Sequence, residues 1–176
     1  MTSIIKVNTF QDTNGNALFN SDGSGNVTLS AGAMKNTPAF SVRKNADQDI
    51  STDTNTKVTW ETELYDTDSA FASNKFTVPS GLGGKYFCVA NCKIEYGNGA
   101  GERGEIGVHV NGSTIKQAVY SMAGNASHAQ TCQIICELEL SASDYVEIFL
   151  LHEKGTTQPI VNGTNTFWMM HRLIGA

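Results

Sequence analysis

The stretch FTVPSGLGGKYFCVANCKIEY, Phe76 to Tyr96, decides the fold. Pro79 and the glycines after it make a bend, and the run that follows has the two-residue period of an extended chain. Tyr86, Cys88 and Ala90 fall on one side of that strand, and Phe87 and Val89 on the other. Both sides are apolar, so the strand has to be covered twice. The signature returns at YVEIFLL, where Val146, Ile148 and Leu150 oppose Phe149 and Leu151. It returns again at TFWMMHRLI, where Phe167, Met169 and Leu173 oppose Trp168, Met170 and Ile174.

Other strands are apolar on one face. Ile106, Val108 and Val110 alternate with Gly107 and His109, which places His109 toward solvent. Ile134, Cys136, Leu138 and Leu140 alternate with Ile135, Glu137 and Glu139. No window carries apolar residues at helical spacing for three turns. Strand candidates AFSVRK, TKVTWETEL, KFTVP, RGEIGVHVNG, STIKQAVYSM and AQTCQIICELEL complete the set, separated by Gly, Asn, Ser and Asp. Nine or ten such strands predict an all-β chain, a two-sheet jelly-roll sandwich. In a two-sheet sandwich one face of each sheet is core. The second apolar face of the doubled strands then calls for another chain, because soluble monomers avoid large exposed apolar patches.

Residues 1–36 differ in kind. SIIKVNTF, ALFN and NVTLS are short strand candidates joined by turns at Thr13–Asn16 and Ser21–Asn26, where Asn14-Gly15 and Asp22-Gly23 tolerate positive φ. Such hairpins hold too few large apolar groups to stand alone. The expected division is an N-terminal β-hairpin arm, 1–36, and a jelly-roll domain, 37–176.

The chain has 176 residues and a net charge of −5, with no basic cluster. Charge-driven binding to nucleic acid or an anionic membrane is not expected. No apolar run reaches the ~20 residues of a membrane helix. The start, MTSIIKVNTF, has no apolar signal core, so synthesis in a cytoplasm is expected.

Catalytic signatures such as G-x-S-x-G, H-E-x-x-H and a P-loop are absent, and a non-enzyme is expected. Cys88 and Cys92 share one strand face, and Cys132 and Cys136 another. Residues i and i+4 on a strand lie ~13 Å apart, too far for one disulfide or one metal ion. A cross-strand pair drawing one cysteine from each run stays open; buried thiols filling space is the reading adopted. No cofactor is expected. Calcium is the one candidate ion, at Asp47, Asp49 and Asp53 in the loop NADQDISTDTNT, which lacks a glycine-punctuated ligand spacing. Polar loops that could contact a ligand carry Asn98, Glu102 and Arg103, and Asn125 and His128.

The ordered set of segments resembles the C1q/TNF-like family of trimeric jelly rolls, from about Pro38 to Ile174. AFSVRK is similar to the family's opening strand. Phe76, Pro79, Gly84 and Tyr86 match its F-x-x-P-x-x-G-x-Y-x-F run in type, with two extra residues before the last glycine and Cys88 in place of phenylalanine. VHVNG, LELSASDYVEIFL and TFWMMHRLI match later segments, with Ser143-Asp144 in place of Gly-Asp. The resemblance implies a non-enzymatic homotrimer closed through one sheet. Phe87, Val89, Phe149, Leu151, Trp168, Met170 and His171 are the expected interface, with His171 near the threefold axis. The N-terminal segment resembles short leaders on structural proteins of tailed phages that infect marine bacteria. That implies a virion-surface protein, held to capsid or tail through residues 1–36: a capsid decoration protein, or a short fibre head contacting a host glycan or protein. The alternative is a free lectin-like binding module.

Overall fold

The computed structural model describes residues 7–29, 36–95, 103–121 and 129–173. Every regular element among them is a strand. The arm is a small meander of β1 (Thr9–Gln11), β2 (Ala17–Ser21) and β3 (Val27–Leu29), paired antiparallel in that order. Its two turns are copies of one device, Asp-x-x-Gly-Asn at 12–16 and 22–26. In each, the aspartate Oδ1 accepts from the amides two and four residues on, and Oδ2 accepts from the asparagine side chain, at 2.9 Å in the first and 2.6 Å in the second. Gly15 and Gly25 stand at φ +81° and +93°, a region that costs a side chain. These hydrogen bonds, the asparagine side chain's first, hold Asp12 and Asp22 below the usual carboxylate range. Phe10, Phe19 and Leu29 pair across the three strands on one face, with the phenylalanine rings stacked at 4.6 Å.

The remaining strands form two sheets. The first holds β4 (Ala39–Lys44), β5 (Gln48–Ile50), β7 (Thr62–Asp66), β10 (Gly84–Ile94), β13 (Gln130–Leu140), β15 (Gln158–Ile160) and β16 (Gly163–Arg172). Its order is β5-β15-β10-β16-β4-β7, with β13 along the other side of β10. The second holds β6 (Thr56–Lys57), β8 (Phe71–Ala72), β9 (Lys75–Thr77), β11 (Arg103–Val110), β12 (Ser113–Ser121) and β14 (Tyr145–His152). Its order is β12-β11-β14-β9-β8, with β6 also on β14. The two pack as a sandwich.

Two short strands fall where loops were expected. Gln48–Ile50 and Gln158–Ile160 pair with each other, and β15 in turn meets β10 at Ile94. Three residues are too few to display a period. Conversely, TKVTWETEL is not one strand: it breaks between β6 and β7, and Val58 and Trp60 are buried in the break.

The core follows the inward parity of every long strand. Tyr86, Cys88, Ala90, Cys92 and Ile94 of β10 face Ile106 and Val108 of β11 and Val146, Ile148 and Leu150 of β14 across the sandwich, and all are buried. At its centre Phe40 stacks on Phe71 and Phe76 at 5.1 and 5.2 Å and meets Trp168 edge-on at 4.8 Å. Each fully buried side chain of this size is worth about 1.5–3 kcal/mol. The opening bend is a turn in which Leu82 N donates to Pro79 O, and the Tyr86 hydroxyl donates back to Leu82 O at 2.5 Å, so the ring that enters the core also ties down the bend.

Candidate interaction surface

The odd-numbered residues of β10 point away from the second sheet, and the neighbouring strands align with them in three cross-strand rows. The middle row runs Tyr65, Ser41, Met169, Val89, Ile135 over five strands. It contains no charge. Above it run Ala39, His171, Phe87 and Glu137, and below it Arg43, Phe167, Asn91 and Gln133. Nothing in the chain's second sheet covers this face. Val89 is nevertheless only 8% exposed, screened by its neighbours, while the row ends Tyr65 and Ile135 stand 50% and 56% exposed. Phe87, Phe167, Met169 and His171 are half-buried. Asn91 is polar and buried here, and its amide is satisfied by the Asn165 carbonyl. The result is an apolar band with lysine, arginine and glutamate at its margins.

The expected interface divides when placed on this sheet. Phe87, Val89 and His171 lie on the open face, the Phe87 and His171 rings 5.6 Å apart. Trp168 and Met170 do not: they are 0% and 1% exposed in the sandwich core, because the parity that puts Phe87 outward puts Phe167 and Met169 outward beside it. Both faces of β16 are apolar, and the alternation alone does not say which is core. Phe149 and Leu151 lie on the second sheet, pointing outward from β14. They cannot share a surface with Phe87.

On that second outer face one ring is sequestered by the chain itself. His109, expected toward solvent, is 7% exposed and stacks on Phe149 at 4.0 Å. Asn55 Nδ2, from the segment between β5 and β6, reaches His109 Nε2 at 3.4 Å, and Thr114 Oγ1 lies 2.9 Å from the same atom. Burial pushes the His109 pKa down, against a smaller upward pull from Glu147, its cross-strand partner. Lys57 Nζ pairs with Glu147 at 2.8 Å. Lys57 and Asn55 thus bring polar groups to this face, while Phe149 and Leu151 stay half-buried.

Two large apolar side chains stand exposed along the sandwich edge. β12 is the outermost strand of its sheet, and its Ile115 and Val119 are 53% and 60% exposed. Between β12 and β13 runs a groove of about 310 Å³ lined by Ile115, Lys116, Leu138 and Leu140 among others. Sequence reasoning passed over this edge, although Ile115 and Val119 stand among polar neighbours in STIKQAVYS.

The remaining candidates are scattered. Asp47 Oδ1 accepts from the Asn162 amide and side chain, Asp49 sits exposed in β5 opposite Pro159, and Asp53 occupies a turn with φ 52°. Among the described residues no three His, Cys, Asp or Glu side chains are grouped to hold a metal ion. Arg103 is the first residue of β11 rather than a loop residue, and its guanidinium pairs with Glu105 and with Glu153. Asn98, Glu102, Asn125 and His128 lie outside the described residues.

No protein-family model matches the sequence, and no curated protein sequence does. Solved structures do match. The globular domain of zebrafish complement 1qA protein aligns with a TM-score of 0.56 at 17% identity, over 78% of this chain and 98% of that one. Eiger TNF from S. frugiperda aligns with a TM-score of 0.54 at 16% identity, over 78% and 93%. Murine APRIL aligns with a TM-score of 0.55 at 12% identity, over 77% and 98%. The chain therefore has the C1q/TNF-like jelly-roll fold.

Proposed function

We propose that the chain is a non-enzymatic head that assembles as a homotrimer through the open face of its first sheet. The observation that carries this reading is the charge-free row Tyr65, Ser41, Met169, Val89, Ile135, which the described residues of the second sheet leave uncovered. A face that met its own copy would give a twofold dimer. A closed ring of three needs two different patches on each subunit, one meeting the other. The apolar edge at Ile115 and Val119 is that second patch, and face-to-edge contact closes the ring. The resemblance to the C1q/TNF-like family, which implies a homotrimer, supports the reading as well.

On this reading the trimer is displayed on a virion surface, with residues 1–36 docking onto a capsid or tail protein. It serves as a decoration protein or as a short fibre head whose loops contact a host glycan or protein. The short meander supports a docking role: it has an apolar row, Phe10, Phe19 and Leu29, too small to be a core of its own. The test is light scattering on the full chain beside Met169→Asp. A trimer that falls to one chain in the variant supports the head. Pull-down of the wild type with particles, lost on deleting residues 1–36, supports the docking role. A trimer recovered from the medium without particles would favour the free binding module.

A further inference from the structure

Strands β10 and β13 face each other from Gly84 opposite Leu140 to Ile94 opposite Gln130, and two of the pairs between are thiol on thiol. Cys88 lies opposite Cys136, and Cys92 opposite Cys132, all four free. Both are hydrogen-bonded pairs. Lys85 and Lys93 turn their carbonyls to the other side of β10, accepting from Leu173 and Val161, so residues 88 and 92 turn theirs to β13. Such pairs hold their Cα atoms ~5.5 Å apart. That lies inside the ~4.4–6.8 Å a disulfide spans. Register alone gives both pairs the same chemistry.

Surroundings separate them. Cys92 and Cys132 are 0% and 2% exposed; burial raises both thiols, Cys132 to about 12. Cys88 is 0% exposed, but Cys136 is partly open, next along β13 to the groove residues Glu137 and Leu138. The Cys88 thiol hydrogen-bonds to the Cys136 sulfur, which lowers Cys136 and raises Cys88. Lys116, on the groove wall, also favours the Cys136 thiolate. One pair therefore has an accessible, activated member and a buried partner in contact with it, whereas both members of the other pair are buried.

We infer that Cys136 is a modification site for low-molecular-weight disulfides with Cys88 as its resolving thiol, while Cys92 and Cys132 are an inert copy of the same pairing. The Cys136 thiolate attacks one sulfur of glutathione disulfide. The S–S bond breaks, a mixed disulfide forms on Cys136, and the first glutathione leaves as a thiolate, taking up from solvent the proton that Cys136 released. Cys88 then attacks Cys136 Sγ, its proton passing to the second glutathione as that leaves. The two cysteines lose two electrons and glutathione disulfide gains them. The product clamps edge strand β13 to β10 beneath the Val89–Ile135 step of the open face. A hydrogen-bonded pair is wider at Cβ than a relaxed disulfide prefers, so the clamp is reducible and the step reverses under excess thiol.

The groove adjoins the edge assigned above to the neighbouring subunit, so the test uses the wild type and Met169→Asp in parallel. Each full chain is incubated with glutathione disulfide, acid-quenched, digested without reduction and mapped by mass spectrometry. The expected product, in one or both proteins, is a Cys88–Cys136 linked peptide with Cys92 and Cys132 unmodified. Cys88→Ser, and Cys88→Ala as a second variant, should trap one glutathione on Cys136; Cys136→Ser should leave Cys88 unmodified. Modification of Cys92 or Cys132 at the rate of Cys136 would overturn the inference. So would the absence of the Cys88–Cys136 link from both proteins, or modification of Cys88 in Cys136→Ser at the wild-type rate. A link seen in Met169→Asp alone supports the inference and places the groove inside the assembly; absence of trimers with the link present removes the assembly and leaves this chemistry standing.

Discussion

Strand β16 has two apolar faces with different fates. Trp168 meets Phe40, Trp60 and Phe71 inside the sandwich, Met170 lies opposite Phe40, and both are sealed. Phe167 and Met169, one residue away, lie half-buried on the outer face of the sheet, which the second sheet does not cover. The second sheet offers a control. Its outer face also carries large apolar groups, Phe149 and Leu151, equally half-buried, but there His109 stacks on Phe149, Asn55 reaches His109, and Lys57 beside Phe149 pairs with Glu147. Among the described residues, charged and polar side chains break up the outer face of the second sheet, whereas the middle row of the first carries no charge. Contact with another chain, as proposed above, would bury the apolar row of the first sheet.

Substitutions on the two faces of β16 should separate by mechanism. The largest effect is expected at Trp168→Ala, which empties the centre of the aromatic cluster and should cost about 3–5 kcal/mol in urea unfolding. Met169→Asp should leave the far-ultraviolet circular dichroism unchanged and reduce the mass in light scattering to one chain. If Met169→Asp instead unfolds the chain as Trp168→Ala does, the two faces are not distinct. Val119→Asp sharpens the comparison further. Face-to-edge closure predicts that it too yields single chains. An isologous face-to-face contact predicts no loss of association, because Val119 would then lie outside it.

The smallest effect concerns the covered face. Folding buries His109 and depresses its pKa below the ordinary 6.5. The unfolded chain then takes up a proton more readily than the folded one as pH falls, so stability is complete above 6.5 and declines below it. Thermal midpoints measured from about pH 7 to about pH 5 should fall for the wild type. His109→Gln should flatten that slope. An unchanged slope would mean that the ring is hydrated and its cover open.

Much of this was legible in the residues. Alternation marked β10, β14 and β16 as apolar on both sides, and the turns at 13–16 and 21–26 fell where Gly and Asn placed them. What alternation cannot supply is which parity is core. Trp168 is larger than Met169 and looks like the better anchor for a partner, yet it is the sandwich's own centre, because Phe87 sets the outward register through pairing with His171. His109 was misplaced for a related reason: its cover comes from Asn55, more than fifty residues earlier, and a local period carries no trace of it. β5 and β15 were missed because three-residue strands acquire identity only from each other. The facing of Cys88 with Cys136 depended on the β10–β13 register, which both runs allowed but neither specified alone.

The most direct test is sedimentation equilibrium of the full chain over a wide concentration range, with Met169→Asp alongside. The account predicts a species of three times the chain mass for the wild type and of one chain mass for the variant. A wild type that stays a single chain at high concentration, with Phe87, Phe167 and Met169 accessible to solvent, would contradict it.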